Sequence, residues 1–215
     1  MKKYLLLPLG LLIATMTFAN GPFEKAMGES IPAMFGAETP EALQSAINRL
    51  SRIADAEPDR WEPAYYAAFG YLRMSTMFDA AAEKDKYLDL GLAALEKTED
   101  ILPNDSELET LKGYLQMMKL TVDPATRGPS YSPMVFGAFQ KAIALDPQNP
   151  RAHFLLGNMQ YGTAQFLGGG NQEACASLSK AMELFETQAP SSPIAPSWGH
   201  ESAKASHQQI CVGAE

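Results

Sequence analysis

Histidine and cysteine are scarce in this chain, with 3 and 2 among 215 residues. Little is therefore on hand for acid–base, nucleophilic or metal chemistry. Cys175 and Cys211 form no C-x-x-C pair, which excludes a dithiol redox site of that kind. There is no G-x-S-x-G, and no Gly-Lys-Ser/Thr follows the single glycine run, so the nucleophile-elbow and P-loop motifs are both missing. Basic side chains are outnumbered, 17 Lys and Arg against 25 Asp and Glu, and no basic stripe stands out. That balance repels a phosphate backbone and excludes nucleic acid as a partner. Beyond residue 16 no apolar run approaches the roughly 20 residues a spanning helix needs, so no stable membrane insertion is expected.

The first nineteen residues read as a cleaved signal peptide. Lys2 and Lys3 are its basic end, Tyr4 to Met16 its apolar stretch, and Thr17-Phe18-Ala19 supplies small residues before a cut after Ala19. Without Lys2 and Lys3 the mature chain carries 15 basic and 25 acidic side chains, a net charge of −10. The expected location is periplasmic or secreted. In an oxidising compartment an isolated cysteine pair points to a Cys175–Cys211 disulfide, with two free thiols as the alternative.

What is present is a repeat. Pro58, Pro103 and Pro147 recur at spacings of 45 and 44, and each separates a helical pattern from a polar helix start. Gly70, Gly113 and Gly157 recur at 43 and 44. Periods of this length mean stacked helical hairpins. The reading is an all-α, right-handed superhelix in a single domain, residues 20–215. Residues 40–58 form a half repeat, 60–103, 104–147 and 148–188 three hairpins, and 197–211 a capping helix; residues 20–36 add a short leading helix. Thr39-Pro40-Glu41 is a helix start, and Asn104-Asp105-Ser106 is rich in capping groups. Three inter-helix loops are expected on one edge: Asp79 to Lys86, Val122 to Pro133, and Phe166 to Asn171.

Phe139, Ala142, Leu145, Asp146 and Pro147 resemble the second helix and boundary of a tetratricopeptide repeat. Leu156-Gly157 resembles the Leu-Gly of its first helix, and Ala174, Leu178 and Ala181 its small–large–small pattern. The likeness covers about residues 40–188 and weakens toward the N-terminus. His153 and Gln160 replace usual aromatics, and the repeats are near 44 residues rather than 34. Residues 61–68 and 166–171 are similar to a group of exported bacterial proteins with divergent repeats and no established activity. A more distant likeness is to a repeat protein associated with periplasmic solute transporters.

The resemblance implies that first helices line a concave groove. Taking the three glycines as equivalent puts Tyr71, Met74, Tyr114, Met117, Phe154, Asn158 and Tyr161 there, with Ala67, Ser75, Thr110, Met118 and Gly162. Tyr and Met suit a helix or extended peptide. Gly168, Gly169, Gly170 and Asn171 form a candidate loop edge, where helix-start amides would meet a carboxylate or phosphate; a plain turn capped by Asn171 is the simpler account.

The expected function is non-catalytic binding of a protein or peptide by a monomeric scaffold, with no cofactor and no metal. The alternative is a solute-binding accessory to an envelope transporter, holding a small amphipathic ligand. A third reading, a metal hydrolase on His200, Glu201 and His207, lacks a second zinc-spaced histidine, because position 204 is Lys. His153 is expected in the core.

Overall fold

Four of the described helices begin where the sequence places a side-chain cap beside a proline or an acid. Thr39 accepts a bond from the Ala42 amide at 3.2 Å and Pro40 opens the helix. Asp105 accepts from the Glu107 and Leu108 amides, and Asn149 from those of Arg151 and Ala152. Such caps satisfy amides that have no partner inside the helix. The computed structural model describes residues 21–212, and the signal-peptide reading lies outside them.

Among the described residues there are nine α-helices and no strand. They are α1 (Pro22–Phe35), α2 (Pro40–Ala56), α3 (Glu62–Ser75), α4 (Ala81–Glu99), α5 (Ser106–Val122), α6 (Pro124–Leu145), α7 (Pro150–Leu167), α8 (Gln172–Thr187) and α9 (His200–His207). A π-helical turn, Gln208–Val212, follows. Antiparallel neighbours α3/α4, α5/α6 and α7/α8 pack as hairpins, with α1 and α2 stacked before them. The first helices α3, α5 and α7 also touch one another in turn. No described helix is long and apolar enough to cross a membrane.

The core is built from apolar stripes at helical spacing. Leu43, Ile47 and Leu50 of α2 meet Tyr65, Leu72 and Met74 of α3, and Leu88 and Leu95 of α4 meet Leu111 and Leu115 of α5. Val135, Phe139, Leu155, Leu178 and Ala181 fill the second half. Asn149 joins the hairpins as well as capping α7. Its amide donates to Ser106 Oγ at 2.9 Å, and Ser106 donates to the Ala142 carbonyl at 2.8 Å.

The structure corrects three expectations. The loop read over 122–133 is helix: Asp123 caps Thr126 and Pro124 takes the first helical position, where its missing N–H costs nothing. Pro129 and Pro133 lie inside α6. The added length of each repeat thus goes into longer helices, not loops: α6 runs 22 residues and meets α5 at the single residue Asp123. The three glycines are not equivalent either. A Cβ on Gly113 would strike Phe139 of its own hairpin partner, and one on Gly157 would strike Leu178 of its own, but one on Gly70 would strike Ile47 of the preceding α2. Finally, His153 is only half-buried at the surface end of α7, its Nε2 3.1 Å from the Pro147 carbonyl; burial lowers its pKa despite that contact.

Cys175 and Cys211 are joined, tying the terminal turn to α8 across 36 positions. Constraining the unfolded chain this way contributes about 3–4 kcal/mol. Reduction should lower the unfolding free energy by about that amount in urea titrations followed by helical circular dichroism. Equal midpoints with and without reductant would contradict a structural disulfide.

Candidate functional site

The chain between α8 and α9 does not leave the domain. It runs as a strap over the face shared by α3, α5 and α7. Tyr66 donates to the carbonyls of Ile194 and Ala195, at 3.1 and 3.0 Å. Trp198 stacks on Tyr114, packs against Phe69, and donates its indole N–H to Tyr65 Oη at 2.8 Å. Tyr65 in turn donates to Glu107 at 3.4 Å. Beneath these groups Arg151, 4 % exposed at its side chain, makes a bidentate pair with Glu107, the shortest bond being 2.6 Å. Its guanidinium also donates to the Trp198 carbonyl at 3.5 Å. Burial pushes the Tyr65 phenol well above its usual range, with the Glu107 charge adding to it, and burial raises Tyr66 as well. Burial works against the Arg151 charge, but the Glu107 bond outweighs it and its pKa is raised. Gly199 ends the strap in a left-handed conformation (φ 104°), with Phe185 and Arg151 within 3.3 Å of where a Cβ would stand.

A different region is hollow. At the turn end of the second and third hairpins, α5, α6 and α7 part around a cavity of about 870 Å³. Each helix contributes a stripe at helical spacing: Met117, Leu120 and Thr121 from α5; Pro124, Ala125, Gly128, Pro129 and Ser132 from α6; Asn158, Met159, Gly162, Thr163 and Phe166 from α7. Gln165 and Leu167 complete the lining, in which no residue is charged. Gly128 and Gly162 matter here, because a Cβ at either would meet nothing within 4 Å. The tight glycines at 113 and 157 let helices approach, whereas these two leave room. Arg127 secures the α6 wall through a bidentate pair with Asp85 of α4, both bonds 2.6 Å, and a bond to the Lys119 carbonyl. The Arg127 hydrogen bond holds the Asp85 carboxyl below its ordinary pKa.

The predicted site residues divide between these regions. Tyr114 and Phe154 lie under Trp198 and Gly199. Met74 is buried, together with Ala67 and Ser75, because the register taken from Gly70 was displaced; Tyr65, Tyr66 and Phe69 meet the strap instead. Tyr71 packs partly buried on the first core cluster and Tyr161 on the second. Met117 and Asn158 line the cavity, and Gly168 to Asn171 follow directly on its rim. Asn171 sits at the start of α8 but does not cap it; its side chain accepts from Gln165 and reaches the Ile210 carbonyl. The α6 wall was missed because its prolines were read as loop. The Asp123-Pro124 helix start and the small residues Gly128 and Ser132 four apart were the available signals.

His200 stacks on Phe185, while His207 pairs with Ser179 at 3.1 Å. The two imidazoles are thus engaged separately. Among the described residues no cluster of His, Cys, Asp and Glu has the arrangement of a metal site. In the cavity the thioethers of Met117 and Met159 are the softest donors.

No protein-family model matches the chain, and no curated protein matches it. Among solved structures it is similar to the HusA haemophore from Porphyromonas gingivalis: 25 % identity, TM-score 0.79, covering 92 % of this chain and 96 % of that one. It is also similar to TTC0263, a thermophilic tetratricopeptide-repeat protein of Thermus thermophilus: 14 % identity, TM-score 0.59, covering 89 % and 92 %. The fold is thus a divergent, tetratricopeptide-like stack of helical hairpins. It is an all-α solenoid.

Removing one member of a buried ion pair leaves the other charge unpaired, typically at a cost of about 3–5 kcal/mol. Arg151→Ala should cost that much in urea unfolding. Replacing both partners, Arg151→Met with Glu107→Leu, should cost clearly less than the two single losses added together. Additive losses would show that the pair acts independently of its partner.

Proposed function

We propose that this repeat protein is a non-catalytic, extracytoplasmic carrier that takes a large, flat, mostly apolar ligand of the haem class between α5, α6 and α7. The observation that carries the reading is the uncharged cavity of about 870 Å³. Its size lies within the roughly 300–1,000 Å³ of small-molecule sites, and such sites are mostly apolar with a few placed polar groups. Ser132, Asn158, Thr163 and Gln165 are those groups here. The similarity to a haemophore over nearly the whole chain supports the ligand class. The lining fits a tetrapyrrole by covering its apolar faces, with Met117 and Met159 as its sulfur-bearing residues. The Cys175–Cys211 disulfide supports an oxidising compartment.

A protein or peptide lying along Tyr71, Tyr114 and Tyr161 has less in its favour. The strap already stacks Trp198 on Tyr114, and a peptide there would have to displace it. Buried bonds from Tyr65, Tyr66 and Arg151 resist that exchange.

Haemin titration at neutral pH, followed by its visible absorbance, tests the reading. The wild-type protein should show saturable binding. Gly162→Trp should fill the space that position 162 leaves open and weaken binding by at least about tenfold, or 1.4 kcal/mol. Helix stability should not suffer, since any other residue but proline is a better helix former than glycine. No saturable change, or unaltered affinity in the variant, would contradict the proposal.

A further inference from the structure

Large apolar side chains that stand in water call for a reason. Among those of the described residues the two most exposed are adjacent: Phe166 at 69 % and Leu167 at 75 %. Both also line the cavity between α5, α6 and α7. They close α7, and the turn that follows is Gly168-Gly169-Gly170, with Gly168 left-handed at φ 75°. A Cβ on Gly168 would meet nothing within 4 Å, so no neighbour packs against the turn there. No Asp, Glu, Lys or Arg occurs from 152 through 172, so no carboxylate, ammonium or guanidinium of this segment stands at the mouth. Pro124, Ala125 and Pro129 face the pair from the α6 wall.

Resting on the cavity reading above, we infer that Phe166 and Leu167 are the retention residues of the site: they fold over the outer face of a bound apolar ligand and set how fast it leaves. The turn end of α7 is suited to this, because it is a helix terminus followed by three glycines, the first of which would meet no neighbour within 4 Å of a Cβ. Ligand burial would remove from water the apolar area that these two side chains now expose, which stabilises the loaded state relative to the empty one. The walls from α5 and α6 shape the site; this pair governs residence time. Polar rim groups such as Gln165 cannot substitute, since they lose solvent bonds on closure.

The test uses the neutral, flat fluorescent dye Nile red, so that the mouth is read whether or not haemin binds. Phe166→Ala with Leu167→Ala should release the dye about 10- to 100-fold faster than wild type, with entry little changed. The melting temperature should stay the same, because neither side chain supports the core. The exchange Phe166→Leu with Leu167→Phe keeps the apolar area and should keep the slow release. An unchanged release rate in the double alanine variant overturns the inference. So does Nile red affinity that is unaltered in Gly162→Trp, since the dye would then sit away from this cavity. If Nile red shows the predicted difference and haemin fails to bind, the haem-class reading falls and the retention pair stands. If haemin binds and the release rates match, the retention pair falls alone.

Discussion

Arg151 stands where the three first helices and the returning chain come together. Its guanidinium is held by two oxygens of Glu107 on α5 and reaches the Trp198 carbonyl of the strap, while its own helix starts at the Asn149 cap beside the Ser106 seam. A charge this deep is tolerated only when its bonds are made, so the pair constrains more than it adds in net energy. It requires α5 and α7 to stay in register and the strap to lie down. With the strap fixed, Tyr65, Tyr66 and Trp198 find partners for polar atoms that burial would otherwise leave unmet.

That arrangement decides where a ligand can go. Repeat stacks offer the face of their first helices, and here the protein covers that face with its own segment around Ile194 and Trp198. The disulfide between Cys175 and Cys211 pins the turn after α9, beyond that segment, against α8. Open volume remains instead at the turn ends of the second and third hairpins, where helices longer than the usual repeat run past the packed core. Two open glycines and a proline-started wall shape that volume. A binding site built on helices and held by the Arg127–Asp85 pair is more rigid than one built on loops.

The hairpin stack was legible in the sequence, because caps, prolines and apolar stripes each report on local chemistry. Phe139, Ala142, Leu178 and Ala181, the positions that carry the repeat resemblance, are all buried. The cysteine pairing was legible from compartment and number. The cavity was not. Pro129 and Pro133 argued locally against a helix, yet packing against α5 keeps one, and the α6 wall disappeared from the reading with it. Gly70 repeated the spacing of Gly113 and Gly157 but serves contact with α2, which moved the expected groove off the residues that meet the strap. The strap has no periodic signature at all; a Pro/Ser-rich segment reads as a spacer, and only long-range contacts show that Ile194 and Pro196 are buried. Whether a helical glycine closes a contact or opens a space depends on a neighbour far away in the chain.

The central claim is that the ligand enters the α5–α6–α7 cavity and leaves the strap-covered face untouched. Mapping backbone amide shifts by nuclear magnetic resonance during a haemin titration tests it most directly. The account predicts that perturbations gather at 117–132 and 158–167, with Tyr65, Tyr66, Tyr114 and the 194–199 strap undisturbed. Perturbations gathered on those tyrosines and the strap, with the cavity walls silent, would contradict it.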